Sequence, residues 1–150
     1  MSQAFINIHI HCIFSTKHRH PLIAPEMQGP LWAYMGGLAR NHGMKALAAG
    51  GFTDHAHVLL SLPATVAIAK AVQIIKGGSS YWLGKEFDLK GRFAWQRGYG
   101  AFSVHVSLLE ETARYIRKQP EHHERYTLEE EYTAILKRHG QAFELDGLWD

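Results

Sequence analysis

Cysteine is almost missing from this chain. Cys12 stands alone among 150 residues, so no disulfide can form within the chain, and a reducing cytoplasm is the expected setting. No apolar run is long enough to span a bilayer, and no charged-then-apolar leader opens the sequence, so neither a membrane partner nor export is expected. "MSQAFINIHIHCIF" is apolar, but polar residues interrupt it at every second or third position. Internal repeats and low-complexity linkers are absent too, which points to one compact domain over residues 1–150 with a sizeable core. The net charge is only +2, too small to imply a nucleic-acid partner on its own.

What is present is unevenly placed. Residues 1–109 carry a net charge of +6 and residues 110–150 a net charge of −4. A basic body with an acidic tail could bind phosphates on one side only. The chain also holds 11 histidines, an unusual number. "FINIHIHCIFS" (5–15) alternates at period two and predicts a strand. A helix follows over 26–43, then strands over 44–52 and 55–63, a helix over 64–87, an aromatic strand over 92–107, and helices over 108–119 and 128–140. Ser107 and Glu110 have the spacing of a capping box. The order β-α-β-β-α-β with two trailing helices predicts an α+β, ferredoxin-like fold: a four-stranded antiparallel sheet with helices on one face and the other face open.

Three His-x-His pairs fall at 9/11, 18/20 and 55/57. On a strand, residues two apart point the same way. His55 and His57 therefore converge on one side, while Ala56, Val58, Leu60 and Leu62 pack on the other. Two imidazoles so placed form half of a metal site, with Asp54 as a nearby support. In a ferredoxin-like sheet the first and third strands are neighbours, and their apolar parity puts His9 and His11 on the same face as His55 and His57. There they line a groove or remain surface histidines. The pair at 18/20 lies in "KHRHP", a basic loop suited to phosphate.

A further constellation is "RYIRKQPEHH" (114–123). Tyr115 and Gln119 are four apart and share a helix face, flanked by Arg114, Arg117 and Lys118. A tyrosine among cations suits attack on a phosphodiester; a packed core tyrosine is the plainer alternative. "RGYGAFSV" (97–104) has the composition of an RNA-recognition strand, but Ala101 shifts the spacing by one residue, so it is read as packing through Tyr99 and Phe102.

Taken in order, "FSTKHRHPLI", "GGFTDHAHVLLSLP", "KGGSSYW", "WQRGYGAFSVHVSLLEE" and "YIRKQPEHH" resemble the small single-tyrosine HUH transposases of bacterial and archaeal insertion sequences, a group that includes REP-associated tyrosine transposases. The resemblance runs over roughly residues 5 to 139. It implies that His55 and His57 are metal ligands, that Tyr115 is the nucleophile and that Gln119 completes the metal site. It also implies Mg²⁺ or Mn²⁺ as cofactor, single-stranded DNA hairpins as substrate, a covalent 5′-phosphotyrosine intermediate and a homodimer. Imidazole pairs by themselves favour zinc or other transition metals, and Mn²⁺ suits both views.

Two residues depart from the family pattern. Pro120 disfavours helical geometry at Gln119, which leaves His122 or His123 as alternative third ligands, and Ala56 is smaller than the usual branched residue. Lys17, His18, Arg19, Lys76, Arg97 and Arg117 are the candidates for contacting DNA. The homodimer is expected to form through the strand at 92–106, which would otherwise expose Trp95, Tyr99 and Phe102. Two rival readings are a domesticated nucleic-acid-binding domain without catalysis and a zinc-dependent hydrolase that does not need Tyr115.

Overall fold

The computed structural model describes residues 2–149. Its elements follow the expected order with different limits: β1 (Ile8–Ser15), α1 (Pro25–Asn41), β2 (Lys45–Gly51), β3 (His55–Leu62), α2 (Ile68–Glu86), β4 (Gly100–Ser103), α3 (Leu109–Arg117), α4 (Gln119–His122) and α5 (Leu128–Arg138). β1 begins at Ile8 because its pairing with β3 begins there, at Ile8↔Leu62; Phe5 and Ile6 lie outside the ladder and are exposed. α1 runs through Pro30 and α2 runs through Gly77 and Gly78, against propensity. Burial outweighs the cost: Leu31, Met35 and Ala39 of α1 and Ala71, Val72, Ile75 and Leu83 of α2 form apolar stripes facing the sheet. At Gly78 a Cβ would come within 2.7 Å of Leu38, so this glycine lets the two helices approach.

The strand expected at 92–107 shrinks to four residues. Residues 92–99 are held by other means. Lys17 N–H donates to Ala94 O at 2.8 Å, Gln96 N–H donates to Ser15 O at 2.9 Å, and Thr16 and Trp95 form an isolated bridge. Trp95 and Phe102 are both buried within the chain, so the apolar edge expected to drive a dimer is already covered; Tyr99 is 38% exposed. The capping box expected at Ser107 and Glu110 does not form, because the His105 ring takes the Ser107 N–H and Leu108 precedes the helix. A capping box forms instead at Thr127 and Glu130, where it fixes the start of α5.

The strands pair in the order β2-β3-β1-β4, all antiparallel, as in a ferredoxin-like sheet. One face carries Ile10, Cys12, Phe14, Ala56, Val58, Leu60 and Leu62 and packs on α1 and α2. The other face is not left open. Ala48 and Leu59 meet Ala113 and Ile116 of α3, and Ile13 and Phe102 meet Tyr132, Ile135 and Leu136 of α5. Those apolar residues stand in the phase of the histidines, and covering them draws the trailing helices onto the sheet. Among the described residues no helix is long and apolar enough to cross a membrane.

Candidate functional site

Strand alternation places the two histidines of β3 under the trailing helices. His55 and His57 are fully buried there, opposite Ser15 and Ile13 of β1. Gly50 of β2 pairs with His57, and a Cβ at Gly50 would overlap the Ile116 carbonyl. This glycine therefore lets α3 sit directly over the histidine pair. Each imidazole is held from behind at Nδ1. His55 Nδ1 donates to Asp54 Oδ1 at 2.7 Å, and His57 Nδ1 shares a hydrogen bond of 2.8 Å with His11 Nε2. Both Nε2 atoms are thereby turned toward the same interior point.

α3 and α4 bring the tyrosine and the amide to that point. The helix breaks at Lys118 (φ −96, ψ 19), and Pro120 falls in the first turn of α4, where a missing N–H costs nothing. The sequence spacing therefore survives the break. Gln119 is fully buried, and its Oε1 accepts from His55 Nε2 and His123 Nε2, each at 2.8 Å. The Tyr115 ring stands edge-on to His57 with centroids 5.8 Å apart.

The residue that sequence reading missed is Glu131. It lies at the centre of the cluster. Its Oε1 is 3.2 Å from His57 Nε2, 3.2 Å from His123 Nε2 and 3.4 Å from His55 Nε2. Its Oε2 accepts from Gln119 Nε2 at 2.8 Å and from the Tyr115 hydroxyl, and lies 3.4 Å from His122 Nε2. "LEEEYTAILKR" offers three consecutive glutamates with three different fates. Glu129 pairs with exposed Arg19, Glu130 closes the capping box, and Glu131 faces inward. A signal was available, because Leu128, Glu131, Tyr132, Ile135 and Leu136 follow one helical stripe, and Glu131 is the charge in an otherwise apolar phase.

The charges in this cluster hold one another. Burial disfavours a cation at His55, but hydrogen bonds to Asp54 and Glu131 outweigh it and raise its pKa to about 9. Burial would likewise raise the Glu131 pKa, yet the hydrogen bonds from His123, His55 and His57 hold it well below the usual carboxylate range. Burial lowers the His57 pKa, and burial, then the charge a protonated His57 would place beside it, lowers that of His11 to about 3. Burial, then the neighbouring Glu131 charge, push the Tyr115 phenol up. Two overlapping donor groups, His55/His57/Glu131 and His122/His123/Glu131, each have one ligand atom per residue within 4.8 Å of the others, so they could hold a cation.

A cleft of about 290 Å³ opens beside the tyrosine, lined by His11, Phe102, Thr112, Tyr115 and Arg138 among others. The candidate DNA contacts are scattered by comparison. Lys17, His18 and Arg97 border a separate cleft next to Trp149. Arg19 stacks over the Trp149 ring at 4.7 Å. Arg117 is exposed on α3. Lys76 is committed elsewhere: its ammonium donates to the carbonyls of Gln96, Arg97 and Gly98 at 2.6, 3.2 and 3.0 Å, and burial lowers its pKa to about 8.

The model of a family described as "Transposase IS200 like" matches residues 4–119. A transposase for insertion sequence element IS200 from Salmonella typhimurium is 29% identical over 98 residues, which is 62% of this chain. The chain spans 64% of that relative's length. A solved protein of Deinococcus radiodurans R1 superposes with a TM-score of 0.64 at 24% identity, over 79% of this chain and 98% of its own. A REP-associated tyrosine transposase bound to a REP hairpin superposes with a TM-score of 0.58 at 16% identity, over 82% of this chain and 73% of its own. At these identities the two solved structures establish a shared fold.

Proposed function

Since this chain belongs to the IS200-like transposase family, we propose that it cleaves and rejoins single-stranded DNA at hairpin-forming element ends through a tyrosine ester. The observation that carries the reading is the convergence of the Tyr115 hydroxyl, His55, His57 and Gln119 on one buried carboxylate, Glu131. A packed core tyrosine would not need a buried carboxylate acceptor shared with two histidines and a glutamine. That hairpins are the substrate is supported by the REP hairpin bound to a protein of the same fold.

In this reading Tyr115 Oη attacks the scissile phosphorus. The Oη–P bond forms, the P–O3′ bond breaks, and the phenol proton passes to Glu131 Oε2, which already accepts it as a hydrogen bond. The 3′-oxygen leaves and takes a proton from solvent. The phosphotyrosine conserves the bond energy, so a later 3′-hydroxyl can rejoin the strand without a nucleotide cofactor. His55 and His57 would hold a divalent cation through Nε2, with Glu131 and Gln119 Oε1 completing the set and His123 within reach. When bound, such a cation polarises the phosphate and stabilises charge on the leaving oxygen. Two imidazoles with a carboxylate suit Mn²⁺ better than Mg²⁺. Lys17, His18, Arg97 and Arg117 would contact backbone phosphates, and two copies would hold two ends as a homodimer.

The experiment is to incubate the protein and Mn²⁺ with single strands of the DNA flanking its own gene. A labelled protein–DNA band that survives denaturing electrophoresis and disappears with EDTA or in His57→Ala is the expected result. Absence of any adduct, with hairpin binding intact, would favour a binding domain. Cleavage without an adduct would favour a hydrolase.

A further inference from the structure

His11 is not among the residues that would hold the cation; it lies on β1, far from the α3 tyrosine in sequence but in contact with the site in space. Its ring stacks on His57 with centroids 5.0 Å apart and planes inclined at 29°, and it meets the Tyr115 ring edge-on at 6.3 Å. His11 is 8% exposed and His57 fully buried. Their facing nitrogens, His11 Nε2 and His57 Nδ1, are 2.8 Å apart, so one proton lies between them. Leaving either nitrogen without that partner in a buried site would cost the desolvation of a polar group.

We propose that His11 is a positioning residue that sets the tautomer and ring orientation of His57 for cation binding. This inference rests on the metal reading. A neutral imidazole has one protonated nitrogen. If His57 Nε2 is to donate a lone pair to a cation, the proton must sit on Nδ1, and something must accept it there. His11 Nε2 is the only acceptor that the hydrogen bonds of the described residues provide at that atom. Asp54 does the same for His55. The two ligand histidines are thus held by unlike acceptors: a carboxylate behind His55, and a neutral ring behind His57. A carboxylate behind both would add a second negative charge beside Glu131, whereas an imidazole fixes the proton without adding charge.

The same strand pairing that makes the fold makes this contact. His57 sits across from Ile13, and His11 is the next residue on that face of β1, diagonal to His57. No other element is needed to bring the two rings together.

The test measures metal binding, not turnover. Mn²⁺ is titrated calorimetrically into the metal-stripped chain as wild type, His11→Phe, His11→Asn and His11→Gln. Phe keeps the stacked ring but accepts no proton, and Asn is polar but too short to reach. Gln can place Oε1 near the position of the imidazole Nε2. Loss of an outer-shell partner weakens binding by roughly 10- to 100-fold, so Phe and Asn should fall in that range while Gln stays within about three-fold of wild type. In zinc-loaded wild type, ¹⁵N-resolved imidazole spectra should show a protected Nδ1–H on His57, and the signal should be lost in His11→Phe. A purely structural role would lower the melting temperature of the metal-free protein without this order of affinities. Equal Mn²⁺ affinity in wild type, Phe and Asn overturns the proposal and leaves the metal reading standing. No Mn²⁺ binding by folded wild type overturns both.

Discussion

The two faces of one β-sheet are built from the same strands by the same alternation, yet they are different materials. On the face under α1 and α2, Ile10, Cys12, Phe14, Val58 and Leu60 pack as apolar side chains. Even Cys12 is inert there, its thiol pushed up to about 12 by burial. On the face under α3–α5, His11, His55, His57, Gln119 and Glu131 are as well buried, but each is kept by a hydrogen bond to another. The first face is stable because its interior is almost wholly apolar, and its buried Ser79 hydroxyl is paired with the Trp95 indole N–H. The second is stable only as a complete set, since a buried polar network missing one member leaves others unsatisfied. The comparison teaches that burial alone does not mark a core: the second face hides His55, His57, Gln119 and Glu131 from water as thoroughly as the first hides leucines.

The largest expected effect separates the faces by chemistry. Tyr115→Phe should reduce covalent adduct formation by about 10³-fold or more, because the nucleophilic oxygen is gone, while hairpin binding measured by gel shift stays within a few-fold. A persisting adduct would move the nucleophile to Tyr126 or Tyr132. No substitution confined to the α1/α2 face should separate adduct formation from binding in this way.

Next come two substitutions of similar cost and opposite cause. Leu60→Ala should lose about 2–5 kcal/mol in urea denaturation by opening a cavity, and Glu131→Ala about 3–5 kcal/mol by leaving histidines without their counter-charge. pH distinguishes them. The His55 pKa is raised from 6.5 to about 9, so its pairing contributes fully below about pH 6.5 and is lost as pH rises through 9. The cost of Glu131→Ala should therefore shrink above pH 9, while the cost of Leu60→Ala stays level. A Glu131→Ala penalty that ignores pH would make this face an ordinary core.

The smallest effect lies outside both faces. Lys17→Ala and Arg97→Ala should each weaken binding of oligothymidylate only a few-fold and reduce its salt slope by about 1. Lys76→Ala should instead lower thermal stability, because that ammonium braces the 96–98 carbonyls. An unchanged salt slope in Arg97→Ala would remove that residue from the interface.

Reading ahead from sequence worked where a local rule was enough. Period two put His55 and His57 on one side of β3 and His11 with them, and helical spacing put Tyr115 beside Gln119. It failed where a local rule competed with distant contacts. The pattern at 92–107 reads as a strand, but residues 92–99 are pinned by Ser15, Lys17 and Lys76 from other elements. Ser107 and Glu110 match a capping box, but His105 takes the Ser107 N–H first. Glu131 was lost among three glutamates because only the helix phase, and not its composition, tells them apart. It also lies outside residues 4–119, the stretch that the family model matches.

By itself the sequence determined the fold class, the element order and the placing of the histidine pair on one side of β3, because side-chain direction follows from backbone periodicity and each strand's apolar set can face only one way. Only the tertiary structure decided that α5 closes over the second face, that Glu131 lies at the centre of the site and that His11 stands behind His57. Those contacts join residues 46 and 74 positions apart, and no local preference encodes a distance of that kind; they arise when apolar residues on both sides of the sheet must be covered at once.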